Sequence, residues 1–479
     1  MWMIPENING GRLYGDYKDS KVKYFSLLSR AGMPKGKSRA FVGAYTAVLE
    51  SRLLSSGHNE DEAHITAFSM AVDALAKIRD RDGLNASLSS AIGQWRSMRP
   101  GTDPLWEAPT PESQWQPQPQ LAGRAISLFS GAMGLDLGFM DCGIQIALAN
   151  DIDRESFRTV NSNLPDLKFL NEDIDKIEPE VLIKAAGVSP SEVDILIGGP
   201  PCQPFSPAGR RAGLNDPRAS PLKYFIRAIR EVRPAAFVME EVPGLLSSRL
   251  KHFPYYDKYK RKPDAEEERG SAFRVVKDML DSTGYRYAYS VLNAADYGAP
   301  QVRERLIFIG MRDGTPSFPE PTHSGDGSTG RQPWVTFWEV AKGLKYTNDK
   351  PLRPEDRKYM SYVPPGGNWT QMPDEIAAEA MGRTMASEGG RTGFYRRIPW
   401  DEPSPTVVTS PSQRGTYLVH PHYDRFLSLA EYKVLQGFPV GWKITGSVDA
   451  KYRLIGNAVP VHLSNALARH AIKLLNGEA

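Results

Sequence analysis

Apolar side chains change their spacing along this chain near residue 123. Before that point they recur every three to four positions, which predicts amphipathic helices across Tyr24–Leu28, Ala40–Leu54 and Ala63–Ile78. Beyond it, short apolar runs alternate with helical patterns. Those runs predict strands at Arg124–Phe129, Gln145–Ala149, Asp194–Ile197, Ala236–Met239, Tyr287–Leu292 and Leu306–Ile309. Strands that alternate with helices predict an α/β fold whose sheet is parallel in large part.

Two segments interrupt this pattern. Prolines recur among Gln, Thr and Glu from Pro100 to Ala122, which predicts an extended linker. Between about Arg312 and Arg397 the alternation stops, and glycine, proline, charged and aromatic residues dominate. Near the C-terminus, Pro460–Leu475 predicts one further amphipathic helix.

Composition narrows the class of protein. The 479 residues are 41% hydrophobic and 24% charged, with a net charge of +3, which suits a globular protein of two or three domains. Two cysteines, Cys142 and Cys202, exclude a disulfide scaffold and a four-cysteine zinc site, and they fit a reducing cytoplasm. The eight histidines show no ligand spacing, so no metal is expected. We expect no signal peptide, because the N-terminus lacks a basic stretch followed by an apolar one. We expect no membrane span, because no apolar run approaches roughly 18 residues.

Basic residues cluster in the N-terminal part. They indicate either a solvated helical face or a surface that contacts phosphates. The cluster, which Asp19 alone opposes, is Lys18, Lys21, Lys23, Arg30, Lys35, Lys37 and Arg39.

The stretch Gly199–Ser206, with the sequence GPPCQPFS, is the most informative in the chain. It follows the apolar run Val193–Gly198 and carries Cys202 on a loop stiffened by prolines. Open α/β sheets bind ligands just beyond the carboxyl ends of their strands. Cys202 is therefore a candidate nucleophile; the alternative is a small buried apolar residue.

A glycine-containing turn, Ser130–Leu135, follows the first predicted strand. Such a turn lets a ligand approach the backbone, and an acid about 20 positions later can bind ribose hydroxyls. Asp151 has that spacing from Gly131, and Asp173 follows another short strand-like segment. Each acid alone is also a candidate helix cap. The turn is not GxGxxG, which argues against a dehydrogenase.

Charged residues at later strands complete the candidate chemistry. Glu240 ends the strand after the one that precedes Cys202, where burial would suit a general acid, although a capping role is the alternative. Arg303 and Arg305 share one face of an extended segment and can hold a carboxylate or a base edge. The alternative for this pair is a surface ion pair through Glu304.

These signals, in this order, resemble the cytosine-C5 DNA methyltransferases of bacterial restriction–modification systems, from about residue 123 to 475. The matching segments are Phe129–Gly131 with Gly134, Asn150–Asp153, Pro200–Ser206, Asp216–Arg218, Glu240 with Val242, Tyr297–Arg305, Leu435–Pro439 and Gly456–Val459.

The resemblance implies a Rossmann-like methyltransferase domain with a mostly parallel sheet, a smaller target-recognition domain and an N-terminal helical extension. The expected boundaries are 1–100 for the extension, 101–122 for the linker, 123–330 for the catalytic domain, 331–410 for the recognition domain and 411–479 for a C-terminal segment that returns to the catalytic domain.

The resemblance also implies catalytic roles. Cys202 would add as a thiolate to C6 of a cytosine flipped out of duplex DNA, and Glu240 would hydrogen-bond or protonate N3. Arg305 and Arg303 would hold O2 of the base or the glutamate itself.

The implied cofactor is S-adenosylmethionine, without a metal. Within its pocket, Phe129 and Ile152 would face the adenine and Asp151 would bind the ribose. Because two of the pocket residues lie near the C-terminus, the last helix must return to pack beside the first strand. The full set of expected pocket residues is Phe129, Gly131, Gly134, Leu135, Asp151, Ile152, Asp173, Ile174, Pro200, Asn457 and Val459.

Two positions depart from the family pattern. Met133 stands where the family usually has glycine, so the turn must tolerate a side chain there. Glu241 stands where the family usually has asparagine, and we hypothesise that this second acid raises the pKa of Glu240 and keeps it protonated.

The resemblance implies duplex DNA as the partner, a cognate restriction endonuclease in the same system and a cytoplasmic location. Rival functions are methylation of RNA cytosine and a catalytically silent DNA-binding regulator. The N-terminal region is expected to stabilise the core, and an autoregulatory DNA-binding or dimerisation module is the alternative. The pattern specifies neither the DNA sequence recognised nor the oligomeric state. Expected recognition contacts are Trp369, Arg383, Arg391, Tyr395, Arg396 and Arg397.

Overall fold

The computed structural model describes residues 11–30, 33–98, 121–189, 192–201, 220–251, 253, 261–325, 330–344, 347, 349–386 and 392–478. Most of the predicted linker lies outside these residues. The helices are α1 (Gly11–Leu28), α2 (Lys35–Ser55), α3 (Glu60–Lys77), α4 (Arg81–Met98), α5 (Gly134–Met140), α6 (Arg154–Asn163), α7 (Pro179–Ala186), α8 (Ser220–Val232), α9 (Ser271–Asp281), α10 (Phe337–Ala341), α11 (Pro354–Met360), α12 (Asp374–Met381), α13 (Leu429–Gln436), α14 (Val448–Asn457) and α15 (Val461–Leu475). The strands are β1 (Gly123–Leu128), β2 (Ile144–Asn150), β3 (Phe169–Leu170), β4 (Ile195–Gly198), β5 (Ala236–Glu241), β6 (Arg286–Asn293), β7 (Gln301–Val302), β8 (Glu304–Met311), β9 (His323–Ser324), β10 (Gln332–Pro333) and β11 (Ser404–Pro405).

One seven-stranded sheet forms the centre of the α/β part, in the order β3-β2-β1-β4-β5-β8-β6. The strands from β3 to β5 pair in parallel, and β8 runs antiparallel to both β5 and β6. The predicted α/β fold with a mostly parallel sheet is therefore confirmed. The strand order reverses between β1 and β4, which creates a crevice at the carboxyl ends of those two strands.

The central strands read as continuous apolar runs because both of their faces are covered. All four residues of β4 are buried, as are five of the six residues of β5. Side chains from five strands and from α8 share one apolar cluster, which includes Leu196, Phe237 and Phe308 from the sheet and Phe225 from α8. This cluster provides the rigid base from which the strand ends project.

Local sequence explains where several helices begin and end. The Asn59 side chain accepts a hydrogen bond from the Glu62 N–H, which caps α3 at its first turn. Asp153 caps α6 in the same way. Gly187, with a φ of +69°, ends α7 in the left-handed conformation that glycine adopts without strain.

The chain forms two compact units. The first comprises the described parts of Met1–Thr110, Gly298–Val302 and Pro321–Leu435. The second comprises those of Pro111–Tyr297, Arg303–Glu320 and Gln436–Ala479, and it contains the seven-stranded sheet. Residues 411–435, expected in the C-terminal segment, belong to the first unit because Tyr417 and Phe426 share an apolar cluster with Tyr395. The domain boundaries stay predictions.

Helices α1–α4 pack with the irregular part of the chain inside the first unit. Tyr17, Phe68 and Trp95 from these helices form one buried cluster with Trp338 of α10. No helix in the part of the chain that the structure describes is both long and apolar enough to cross a membrane.

Candidate active site

Two loops leave the sheet where its strand order reverses. One follows β1 from Phe129, and the other follows β4 from Gly199; the last residues of these strands, Leu128 and Gly198, are paired neighbours. The side chain of Pro200 is buried at the start of the second loop. Cys202 itself lies outside the described residues. The structure therefore describes the approach to the thiol and leaves its role a prediction.

The turn after β1 is built from left-handed backbone. Phe129 and Met133 have φ values of +59° and +71°, and Gly131 has +54°. For a residue with a side chain, this conformation costs about 1–2 kcal/mol, and such strain concentrates at functional sites. The Met133 side chain is fully buried, so the turn accommodates the residue that departs from the family pattern.

The carboxylate of Asp151 closes this turn. Its two oxygens accept hydrogen bonds from the N–H groups of Gly131 and Asp153, at 2.9 and 2.8 Å. Burial raises the pKa of Asp151. The adjacent Ile152 is 67% exposed, which leaves an apolar side chain in water beside a half-buried acid. An apolar face next to a hydrogen-bonding carboxylate suits a nucleoside.

The other acid of the predicted pocket begins a short 3₁₀ helix. The Asp173 side chain accepts a hydrogen bond from the Asp175 N–H, while Ile174 is buried in the core of the second unit. Asp173 is thus a capping residue in this structure, and its predicted place in the cofactor pocket stays a prediction.

The C-terminal segment does return to the glycine turn. A Cβ atom added to Gly134 would lie 2.4 Å from the carbonyl oxygen of Val459, so the two backbones touch. Further along, the Ser464 hydroxyl of α15 donates a hydrogen bond to the carbonyl of Leu135 in α5. Asn457 is exposed at the end of α14. Residues more than 300 positions apart in sequence therefore form one wall of the candidate cofactor site.

A carboxylate and a guanidinium meet near the carboxyl end of β5. The carboxylate of Glu240 forms an ion pair with the guanidinium of Arg305, and both side chains are mostly buried, at 13% and 14% exposure. Gly199 lies against this carboxylate, because a Cβ atom there would be 2.7 Å from Glu240 Oε2. The loop that leads to Cys202 thus begins in contact with the Glu240–Arg305 pair.

Arg303 has a different environment from Arg305. Its guanidinium is buried and donates a hydrogen bond of 2.9 Å to the carbonyl of Gly456. Its own backbone N–H is bound by the Asn293 side chain. These contacts favour a structural role in holding the C-terminal segment, whereas the contacts of Arg305 suit the catalytic role predicted for the pair.

Glu241 is buried, whereas Glu240 keeps partial access to solvent. Glu241 is 1% exposed, and burial, followed by the charge of Glu240, raises its pKa well above the usual range. Glu240 pairs with Arg305, an arrangement that suits a carboxylate. The contacts therefore favour the reverse of our hypothesis, with the proton held on Glu241.

Replacing Glu241 by glutamine tests this assignment. An acid whose pKa is raised by folding stabilises the native state fully only below its unfolded pKa, about 4.3, and this contribution is lost as pH rises. Glutamine has the shape of the protonated acid and does not titrate. We expect Glu241→Gln to raise Tm by a few degrees at pH 8, with the difference from wild type shrinking towards pH 5. A difference independent of pH would contradict the assignment.

Two buried glutamines that hold backbone segments together were not among the predicted site residues. The Gln301 amide donates to the carbonyl of Leu435 at 2.7 Å, and its oxygen accepts from the Val407 N–H. The Gln436 amide donates to the carbonyls of Ile455 and Ala458. Both lie in segments that carry the family resemblance, and a buried amide must satisfy its hydrogen bonds. Their presence inside those segments was the available signal.

The residues that were expected to contact DNA differ in how deeply they are buried. Arg397 is fully buried, and its guanidinium binds backbone carbonyls, including those of Val363 and His420. The hydroxyl of buried Tyr395 donates to the carbonyl of Ala380. These contacts favour a structural role for both residues within the first unit, and their predicted contact with DNA stays a prediction. Of the others, Arg391 lies outside the described residues, Arg383 is exposed, and Trp369 and Arg396 are half-buried.

Comparison with known proteins identifies the family. The sequence profile of C-5 cytosine-specific DNA methylases matches residues 123–473. The chain belongs to this family. It is 35% identical over 370 residues to type II methyltransferase M.PspPI of Psychrobacter sp. (strain TA137), covering 75% of this chain and 81% of that protein. It is 32% identical over 386 residues to type II methyltransferase M.Eco47II of Escherichia coli, covering 76% and 83%.

The family match covers residues 123–473 and gives the reaction that this part of the chain performs. This C-5 cytosine-specific DNA methylase is a transferase that methylates cytosine in DNA. The crevice, the glycine turn and the Glu240–Arg305 pair all lie inside the matched residues.

Proposed function

We propose that this methylase transfers the methyl group of S-adenosylmethionine to C5 of a cytosine flipped out of a specific duplex sequence, through a covalent bond between Cys202 and C6. One observation carries the proposal. Gly199, three residues before Cys202, contacts the carboxylate of Glu240, which is itself paired with Arg305. This contact supports a nucleophile, an acid and a cation acting on one base at the end of the sheet.

Each residue would act on a defined atom of the base. Cytosine C5 is a weak nucleophile, and addition of the Cys202 thiolate to C6 makes C5 part of an electron-rich enamine. Glu240, once it has taken up a proton, would donate a hydrogen bond to N3 and stabilise the charge that develops on the ring, while Arg305 holds its carboxyl group in place. After C5 gains the methyl group, solvent water would accept the C5 proton, and the electron pair of that C–H bond would expel the Cys202 thiolate from C6 and restore the aromatic ring.

The glycine turn fits S-adenosylmethionine, which would supply an electrophilic methyl group on a sulfonium. The position where Gly131 would carry a Cβ atom is open, so a ligand can approach this backbone. The exposed Ile152 offers an apolar surface for the adenine, and Asp151 offers carboxylate oxygens for the ribose. Phe129, Leu135, Pro200 and Val459 would complete the pocket.

The biological setting follows from the relatives' names. Both similar proteins are named type II methyltransferases. We therefore propose that this enzyme works in the cytoplasm and protects host DNA alongside a cognate restriction endonuclease. Residues 331–410 would recognise the DNA sequence, with Arg383 and Arg396 as candidate base or phosphate contacts, since arginine serves both.

The test is transfer of labelled methyl from S-adenosylmethionine to duplex DNA, followed by bisulfite sequencing, with Cys202→Ser in parallel. We expect the wild type to label C5 of cytosine in one short sequence. We expect the serine variant, whose hydroxyl is a far weaker nucleophile at neutral pH, to fall below about 1% of that rate. Cys142→Ser is the matched control, because Cys142 follows the end of α5 and its thiol contacts Asn465.

Other results would redirect the proposal. Labelling of RNA and not of duplex DNA would contradict the substrate and keep the chemistry. Binding of cofactor and DNA without transfer to either would favour a silent regulator. Equal transfer rates for wild type and Cys202→Ser would contradict the covalent mechanism.

A further inference from the structure

Side chains of helices α1–α3 bind two consecutive buried acids of the predicted recognition segment, residues 331–410. Asp401 and Glu402 are each 5% exposed. Asp401 accepts hydrogen bonds from His64 Nε2 at 2.9 Å and from the Tyr17 hydroxyl at 3.2 Å. Glu402 Oε1 accepts from Arg39 Nε at 2.6 Å and from the Tyr24 hydroxyl at 2.7 Å. Buried carboxylates are costly without such partners, so their positions depend on these helices.

The charge on His64 strengthens this contact. Burial alone would lower the pKa of His64, but the carboxylates of Asp401 and Glu50 raise it to about 10. The protonated ring donates from both nitrogens, with Nδ1 facing Glu50 at 3.3 Å. The ring also stacks on Trp338 of α10, at 4.6 Å between centroids. His64 thus contacts residues near both ends of the predicted recognition segment.

The acids belong to a short strap, Trp400–Val407, that returns the recognition segment to β7. Within it, β11 pairs with β7, and the Thr406 hydroxyl donates to the carbonyl of Val302. The carbonyls of Trp400 and Glu402 accept hydrogen bonds from the N–H groups of Trp338 and Phe337 in α10. The strap at the end of the recognition segment is therefore bound to the helix at its beginning.

The N-terminal helices also hold that beginning. Lys21 of α1 is 1% exposed, and its ammonium lies 2.8 Å from Glu339 of α10. Glu339 caps its own helix through Thr336. Lys21 and Arg39, two members of the basic N-terminal cluster, thus pair with acids inside the first unit, and the buried Lys21 is poorly placed to contact phosphates.

Backbone contact makes this packing specific. A Cβ atom on Gly43 of α2 would lie 2.2 Å from the carbonyl oxygen of Pro365, so no side chain fits there. The helices and the recognition segment therefore meet in one close-packed arrangement, with both ends of the segment fixed by buried ion pairs.

We propose that helices α1–α4 are a working part of target recognition: by clamping both ends of the recognition segment, they set the affinity and sequence choice for duplex DNA. This rests on the proposed function of residues 331–410. Binding loops that are held in place before they meet DNA lose less free energy on binding, so a loosened clamp weakens DNA binding without changing the chemical step. Asp401 and His64 are positioning residues in this scheme.

The test compares Asp401→Asn with wild type in the full chain. We expect KM for duplex DNA to rise about tenfold or more, with kcat within about threefold, unchanged cofactor affinity and added methylation at near-cognate sites. His64→Gln, whose amide replaces the Nε2 donor, should lie between the two. Asp73→Asn is the matched control, because Asp73 forms an exposed pair with Lys23 on the same helices.

Several results would overturn the proposal. Unchanged KM and site choice in Asp401→Asn would show that the clamp does not act on recognition. A fall in kcat alone, or a changed oligomeric mass with unchanged KM, would assign the helices to catalysis or to dimerisation. If Asp401→Asn does not fold, His64→Gln decides by the same criteria. Failure of the wild type to methylate duplex DNA would instead refute the proposed function.

Discussion

Glu240→Gln is expected to lower kcat/KM for DNA methylation by about 100-fold or more, with cofactor affinity unchanged. Glutamine keeps the shape of the side chain and loses both the ion pair with Arg305 and the ability to exchange a proton with N3. Arg305→Lys should lower kcat/KM by about tenfold, because an ammonium keeps the charge and loses the planar guanidinium. Steady-state kinetics with duplex DNA measure both effects.

Glu304→Gln is the control for this pair. Glu304 lies beside Arg305 on β8, and its side chain is exposed. We expect near wild-type kinetics for this variant. A Glu240→Gln enzyme within threefold of wild type would contradict the assignment of Glu240 as the residue that acts on the base.

Deletion of residues beyond about 450 is expected to abolish cofactor binding. The deletion removes Val459, whose carbonyl touches Gly134, and Ser464, whose hydroxyl binds Leu135. It also removes the backbone acceptors of Gln436. Because the remaining chain could unfold, Gly134→Ala gives the finer measurement: its methyl group must push the Val459 backbone away, and we expect S-adenosylmethionine affinity to fall about tenfold.

The matched control is Gly93→Ala. Gly93 lies in α4, and no atom outside its own neighbourhood comes within 4 Å of an added Cβ. This variant should keep wild-type cofactor affinity in calorimetry. A truncated enzyme that binds the cofactor normally, or a Gly134→Ala variant equal to Gly93→Ala, would show that the C-terminal segment does not complete the site.

The periodicity of apolar residues was sufficient to locate the elements of the sheet. The six predicted strands correspond to β1, β2, β4, β5, β6 and β8, with ends that differ by a few residues. Buried central strands such as β4 have a strong signal because every residue is apolar. The region after Arg312 was predicted only as irregular, since its short helices and two-residue strands, such as β9, leave no repeating pattern to detect.

Arg303 and Arg305, which belong to one motif, show what local sequence spacing cannot predict. Spacing placed Arg303 and Arg305 on one face, yet Arg303 binds the carbonyl of Gly456 and Arg305 pairs with Glu240. Each partner comes from a segment far away in the chain, and no local pattern encodes it. The same holds for Arg397, which was expected among the DNA contacts because it lies in the predicted recognition region, and which is buried.

The sequence by itself determined the α/β fold, the family and the identity of the catalytic candidates, because these depend on local periodicity and on short motifs such as the one around Cys202. Tertiary structure alone decided which acid is buried, which arginine meets Glu240, and that helices α1–α3 bind Asp401 and Glu402. The physical reason is the range of the interactions. Strand and turn formation depends on neighbours in sequence, whereas burial and charge pairing depend on residues that only folding brings together.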